Sequence, residues 1–417
     1  MEETEEYYSD PRFEYEPATF LKCHSKIRGD KNDRNTKVWA CAFEPHPDYP
    51  EKTTDLIATC AANSICVIDV KKECMVTKHY AKQAREEFYS VSWSTLFMKD
   101  TNKKTIASNI LAAAGAQCIV HLIHPCHQVC FFEEKIKMPS KVTITSVQFH
   151  PLARTVLCGG FSSGDVYIWD IGQPSFPDYE MKFTCLHKLS IDSEIFTMSF
   201  SRHCRTLLAA TENGVAAWGL DLSDVNVSTV LKAPKTTNDR IKMWRFNFPL
   251  KPGLSSKDYQ LVDTVEPIQT GKMIASKCAL YGNIYLWDLE EAMQYAEAGG
   301  NVKVEPAHTL NYSKTDNYFM SMGSSLMSGL LTCGDDLGNI WLYDLKEVLT
   351  LSHKVQQESA VIPWPIVNDV HDQWMVEQKE VVVNKVVVNY NGTYIVAVTN
   401  TNLVCIWKKE KGSRRDM

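Results

Sequence analysis

The sequence has no apolar run long enough to cross a bilayer, which excludes a helical membrane span and leaves no membrane partner to invoke. Its first residues, MEETEEYYSDPRFEYE, are acidic and aromatic, unlike a secretory signal or a transit peptide. It holds no Gly-rich phosphate loop, no nucleophile elbow and no zinc-protease helix. Acidic residues are scattered at turns instead of paired, so no catalytic residue and no cofactor is assigned. Charge of one sign is scarce too: a formal net charge of -6 over 417 residues gives no drive onto nucleic acid, and direct DNA contact would need a local basic patch. The one such patch is the C-terminal KKEKGSRR, with Lys408, Lys409, Lys411, Arg414 and Arg415. It reads either as a solvated end or as a nuclear import signal or phosphate contact.

Cysteine is present, but not as a framework. The 14 cysteines lie mostly on strand-like runs such as LIATCAANSICVIDV and TVLCGGF. Reduced, buried thiols in a cytosolic or nuclear protein fit that placement better than the spaced bridges of a small secreted domain. The apolar share of 44% is that of a soluble globular protein, and 417 residues suit a repeat array or two to three domains better than one layered core.

Repeats decide between these. VYIWDI (166–171), NIYLWDL (283–289) and NIWLYDL (339–345) are one strand written three times. Weaker copies are ICVIDV (65–70), IVHLIHP (119–125), GVAAWGL (214–220) and LVCIWKK (403–409). Each follows a small-residue strand and a tight turn rich in Gly, Asn and Asp, which tolerate the positive φ that hairpins require. Before each pair lies another short strand: WACAF, YSVSW, TSVQF, FTMSF, LVDTV, YFMSM and NKVVV. The spacing of roughly 46 to 69 residues exceeds the ~40–45 of a WD40 blade, and the excess falls in two stretches, 221–258 and 346–380, read as loops or short additions on a rim.

An all-β, seven-bladed WD40 propeller is the architecture these repeats predict. The expected organisation is a disordered acidic N-terminus over 1–16, a propeller over 17–409 and a basic tail over 410–417. The last blade needs a strand from the other end of the chain, and ATFLKCHSK (18–26) is the natural donor.

Two clusters stand out. HLIHPCHQVC gathers His121, His124, Cys126, His127 and Cys130, residue types that bind zinc. His121 to Pro125 lie on a strand, however, where alternate side chains face opposite ways. The group cannot all converge, so no metal is assigned to it. The second cluster is aromatic. Aligning the first strands on Phe43, Trp93, Phe149, Phe200 and Met322 brings Trp39, Tyr89, Thr145, Phe196 and Tyr318 into register, four residues earlier, at one mouth of the ring. In the first, second and sixth blades that residue is a large aromatic, and Phe319 follows Tyr318. Such rings can cage a methylated ammonium. They can equally pack between blades, and Phe196, outside that group, is read as doing only that.

The runs KVWACAFEP, LIATCAANSICVIDV, EEFYSVSWS, ILAAAGAQCIVHLI, WDIGQPSFPDYE, CGDDLGNIWLYDL and TYIVAVTNTNLVCIW together resemble the WD40 region of the leucine-rich-repeat and WD-repeat family, the origin recognition complex-associated proteins. EEFYSVSW, NFPLKPGLSSKDYQLVDTV and MIASKCALYGNIYLWDL are similar, more distantly, to the embryonic ectoderm development family of Polycomb repressive complex 2. Both resemblances imply a nuclear, chromatin-associated propeller that reads repressive trimethyl-lysine marks. The second implies a methyl-lysine cage at Trp39, Tyr89 and Phe319, with Tyr318 as the neighbouring aromatic. The first family normally carries N-terminal leucine-rich repeats, which this chain lacks through truncation or lineage, so functions resting on them are not carried over.

The expected function is thus a non-enzymatic chromatin reader and scaffold on heterochromatin. Its expected partners are methylated histone H3 or H4 tails and, by resemblance, origin recognition complex subunits. One alternative is a Polycomb-type subunit that binds a trimethylated histone H3 tail and scaffolds a histone methyltransferase. The other is a metal-dependent enzyme at HLIHPCHQVC.

Overall fold

The computed structural model describes residues 11–26, 30, 32–99, 104–201, 203–220, 241–249, 260–268, 272–278, 281–294, 300–350, 355–365 and 381–410. Its strands form seven sheets, each a propeller blade, antiparallel except for a parallel fifth strand at the edge of two of them. The innermost strands are Val38–Pro45, Phe88–Lys99, Ile144–Phe149, Ile195–Phe200, Val262–Pro267, Gly323–Ser325 and Val383–Val388. The repeated strands of the sequence are the third in each blade: Ser64–Asp69, Ile119–His124, Asp165–Asp170, Gly214–Gly219, Asn283–Asp288, Ile340–Asp344 and Val404–Lys409.

The residues of the repeat explain its geometry. Trp169, Trp218, Trp287 and Trp407 are among the largest fully buried side chains. The aspartate at the strand end turns the chain back. Asp69 accepts the backbone N–H groups of Lys71 and Lys72, Asp170 that of Gly172, Asp288 that of Glu291, and Asp344 those of Lys346 and Glu347. A short carboxylate one residue past an apolar strand is the residue type that makes such local turns. At the preceding hairpin of the third blade, Gly164 has φ +86°, and a Cβ there would collide with the Ile191 carbonyl.

The core does not sit inside blades but between them. Seven hydrophobic clusters each join two neighbouring blades. One of them sets Val38, Cys41 and Ile57 of the first blade against Val396, Val404 and Ile406 of the last, so the ring is closed. At roughly 25 cal/mol per Å² of apolar surface buried, losing one interface would expose two faces at once.

Closure uses a strand from the far end of the chain. Tyr15–Leu21 pairs antiparallel with Val404–Lys409, from Tyr15 opposite Lys409 to Leu21 opposite Val404. The donor therefore begins and ends earlier than 18–26, and residues 11–16, expected to be disordered, form a 3-10 turn (Pro11–Phe13) and the strand start. The reason is apolar anchoring: Phe13 and Tyr15 are buried in the cluster between the sixth and seventh blades. Residues 1–10 lie outside the described part. Lys408 and Lys409 are strand residues of this closing pair and not a free tail, whereas Lys411, Arg414 and Arg415 lie outside the described residues.

The sequence's two inserts are corrected as well. Met243–Asn247 is the fourth strand of the fourth blade, with Asn301–Lys303 paired parallel outside it and Trp244 and Phe246 buried by its alternation. Leu345–Val348 is a short helix and Ala360–Ile362 the outer strand of the sixth blade. The rest, 221–240, 250–258, 351–354 and 366–380, lies outside the described residues.

Removing residues 11–21 is expected to lower the melting temperature by several degrees and to promote concentration-dependent aggregation, because Val404–Lys409 becomes an open edge. Tyr15→Phe, which loses the phenol's hydrogen bond to the Gly392 carbonyl (2.6 Å), is expected to cost about 1 kcal/mol in urea unfolding. A shortened chain that melts like the whole would refute the closure.

Candidate functional site

The starts of the innermost strands surround a cavity of about 400 Å³ at one mouth of the channel, bordered by Trp39, Tyr89, Phe196 and Phe319 among others. Trp39 and Tyr89 stand nearly perpendicular, with centroids 5.6 Å apart and an 88° interplanar angle. Trp39 and Phe319 make a second near-right angle at 6.4 Å and 81°. A cation ~4.5 Å above each of two perpendicular ring faces would put the centroids ~6.4 Å apart, the Trp39–Phe319 separation, whereas the edge-to-face Trp39–Tyr89 pair is closer than that.

The structure brings Trp39, Tyr89 and Phe319 to the cavity and leaves Tyr318 outside it. Tyr318 is 45% exposed, does not border the cavity, and leans on Phe319 at 4.6 Å. Phe196, read from the sequence as packing outside the group, belongs to it: its ring meets Phe319 at 5.0 Å and 87°. The reason is the backbone of the sixth blade. YFMSM reads as a strand in the sequence, but the strand begins at Gly323, and Phe319 has φ +69°. A left-handed residue turns the chain, so the second ring of the pair and not the first faces the channel. Nothing in residue types announces such a turn at a phenylalanine, for which this region is a strained outlier.

The residues immediately after Phe319 hold this strain. Met320 is fully buried, and its N–H donates to Asp263 Oδ2 (3.2 Å). Asp263 is itself fully buried and paired with Lys277 Nζ at 2.7 Å. Burial pushes the Asp263 carboxyl up, against the lowering by the Lys277 ammonium and the Met320 amide. The Ser321 N–H then donates to the Asn384 carbonyl (2.7 Å) in the seventh blade. Two interactions thus pin the Phe319 loop from the fifth and seventh blades.

Both carboxyl and ammonium groups stand at the cavity. Glu87 accepts the Trp39 indole N–H (3.1 Å) and fixes that ring. Burial, with Glu87 and Glu86 beside it, pushes the Tyr89 phenol up to about 12, so the ring stays neutral. Burial, with Glu212 nearby, raises Glu194. Deeper, burial raises Glu266 to about 7, opposed by Lys385. The Lys37 ammonium already lies 5.4 Å from the Trp39 centroid, an ammonium on this ring within the chain itself.

Among the described residues, three groups carry metal-ligating side chains, with ligand atoms within 4.8 Å of one another: Cys23, His24 and Cys66; His79, His121 and Cys130; His124, Cys126 and His127. The HLIHPCHQVC run is thus divided between two groups, as strand alternation requires. Burial and the neighbouring Glu133 push the Cys130 thiol up to about 12, and burial and His127 lower His124 to about 4.

Known proteins are similar to this chain over nearly all of its length. Residues 9–410 match the family described as leucine-rich repeat and WD repeat-containing protein 1, WD domain. The protein of that name from Xenopus laevis is 32% identical over 412 residues, covering 94% of this chain and 53% of the relative. That from Homo sapiens is 29% identical, covering 96% and 58%, and that from Danio rerio 29%, covering 94% and 50%. The chain spans about half the length of the curated relatives it matches.

Asp263→Ala leaves Lys277 buried without its partner, and is expected to destabilise the protein by about 3–5 kcal/mol in urea unfolding. Glu266 gives a pH signature. Its carboxyl is raised from 4.5 to about 7, so the folded protein holds a proton that the unfolded chain has released. The stability this proton contributes is complete below the unfolded value and is lost as pH rises through about 7. Between about pH 5 and about pH 8 the parent is therefore expected to lose on the order of 1–3 kcal/mol relative to Glu266→Gln. Parallel pH–stability curves would contradict this.

Proposed function

We propose a function for this chain from one premise: it belongs to the family of the leucine-rich repeat and WD repeat-containing protein 1 WD domain. The chain is a WD40 scaffold. The finer reading is a non-enzymatic, nuclear chromatin reader that takes a trimethyl-lysine histone tail across the channel mouth. The observation that carries it is the pair of near-perpendicular ring contacts made by Trp39, beside a cavity bordered by Glu194. Perpendicular π faces attract a cation from two sides, and methylation lowers the cation's desolvation cost. Trp39, Tyr89, Phe319 and Phe196 form the rings in this reading, and Tyr318 buttresses Phe319. By resemblance, other surfaces hold origin recognition complex subunits. A Polycomb-type role beside a methyltransferase would use the same mouth, and affinity purification from nuclei separates the two by which subunits are recovered.

Titration of trimethylated and unmethylated histone H3 and H4 tail peptides tests the reading. Trp39→Ala, Tyr89→Ala and Phe319→Ala are each expected to weaken binding at least a few-fold, since a desolvated cation–π contact is worth about 2 kcal/mol and an exposed one about half that. Trp39→Phe keeps a π face and is expected to be milder, as is Tyr318→Ala. Equal affinity for methylated and unmethylated peptides, or no loss in variants with an unchanged melting temperature, would return these rings to inter-blade packing.

A further inference from the structure

We infer that His79, His121, Cys130 and Glu133 form a tetrahedral site for a divalent metal of zinc chemistry, stapling the first blade to the second. His79 lies on the outer strand Cys74–Tyr80 of the first blade. His121 lies on Ile119–His124, and Cys130 and Glu133 on Val129–Lys135, all in the second. The ligand atoms of His79, His121 and Cys130 fall within 4.8 Å of one another. Glu133 stands beside this group as the candidate fourth ligand, its Oε1 3.7 Å from His121 Nδ1 and 3.8 Å from Cys130 Sγ. Zinc bonds of ~2.0–2.3 Å in a tetrahedron put ligand atoms ~3.3–3.8 Å apart, so the three His and Cys ligands close with side-chain shifts of ~1 Å, and the Glu133 side chain turns further to take the fourth position.

Polar atoms without hydrogen bonds point to a ligand. His121 is fully buried, and neither of its ring nitrogens has a hydrogen-bond partner. His79 Nε2 and Glu86 Oε2 are buried and unbonded as well. Leaving such groups unpaired is costly, more so when they are charged. The other two groups show no such deficit at their central histidine. His24 meets Ser64 and Thr59 at 2.9 and 2.8 Å, and His124 meets Ser108 and Tyr179 at 2.5 and 2.8 Å.

The surroundings match a metal's needs. With Nδ1 toward the cation, His121 Nε2 faces Glu86 Oε2 at 3.8 Å, the carboxylate–histidine arrangement that orients zinc-bound imidazoles. The other Glu86 oxygen is fixed by the N–H groups of Glu87 and Gln117. Glu133 Oε2 stays on Lys82 at 3.3 Å, leaving Oε1 for the metal. A thiolate and a carboxylate with two neutral imidazoles balance the charge of a divalent cation. Strand alternation, the reason for assigning no metal to HLIHPCHQVC, still holds. It keeps His124 out, Cys126 and His127 lie in the 3-10 turn Pro125–His127 beyond the strand, and the missing imidazole comes from the neighbouring blade.

The test is elemental analysis of the full chain, purified without a histidine tag, together with cobalt(II) substitution. One tightly held zinc per chain and a thiolate-to-cobalt charge-transfer band are expected. Cys130→Ser and His79→Ala are expected to lose both while remaining folded, and Cys126→Ser/His127→Ala to keep them. Glu86→Gln, a change at the positioning residue, is expected to weaken metal affinity about 10–100-fold in chelator competition. Zinc far below one per chain with no cobalt–thiolate band would overturn the site. Zinc retained in folded Cys130→Ser and His79→Ala would overturn it equally.

Discussion

The ring depends on one pairing: Tyr15–Leu21 against Val404–Lys409, the first described strand against the last. A propeller stabilises its blades through neighbours, and each of the seven interfaces here buries its own cluster. Only the closing blade draws on both ends of the chain, so ordering it costs the loop entropy of nearly the whole sequence. The Phe13 and Tyr15 anchors, and Phe20 against Trp364 and Trp407 at 5.4 and 5.1 Å, offset that cost. Once the ring shuts, every innermost strand is held at a fixed distance from the channel. Residues that are far apart in sequence, such as Trp39 and Phe319, then meet.

Closure alone does not aim the rings. Trp39 is oriented by Glu87, and Phe319 by a left-handed backbone that costs free energy to hold. The compensation is the Asp263 carboxylate, which binds the Met320 amide while paired with Lys277, itself 5.2 Å from the Tyr312 ring centroid. Burying an ion pair is a poor way to gain stability. It is an effective way to place an amide, because the pair tolerates few alternative geometries. The cost at Asp263–Lys277 and the strain at Phe319 meet at the Met320 amide and point to the same mouth.

The seven third strands were legible because their chemistry repeats: an apolar run, then in most blades an aspartate that caps the turn. Trp39 and Tyr89 were legible as strand-start aromatics for the same reason. What escaped had no residue-level signal. Tyr318 and Phe319 are adjacent aromatics, and only a positive φ decides which faces the channel. Phe196 joins through Phe319, across the ring, a contact no local pattern encodes. MWRFN alternates well, but at five residues inside a polar stretch its period was too short to stand out. The closing strand was found and its limits misplaced, because Phe13 and Tyr15 sit in an acidic context that reads as disorder.

The histidine and cysteine group shows the same limit from the other side. Alternation along IVHLIH correctly divides the run, yet the partner that completes one half, His79, lies in another blade, and sequence spacing carries no information about that neighbour. Glu86 and Glu87 then connect the two places. They are consecutive residues before the second blade's innermost strand, and their side chains diverge: Glu87 holds the Trp39 indole, and Glu86 faces His121. The Glu87 amide also donates to Glu86 Oε1, so the two carboxylates are not set independently. A cation at His121 would orient that ring, fix Glu86 through it, and so constrain the residue that orients Trp39. One dipeptide between two blades therefore ties the order of the rim to the order of the channel mouth.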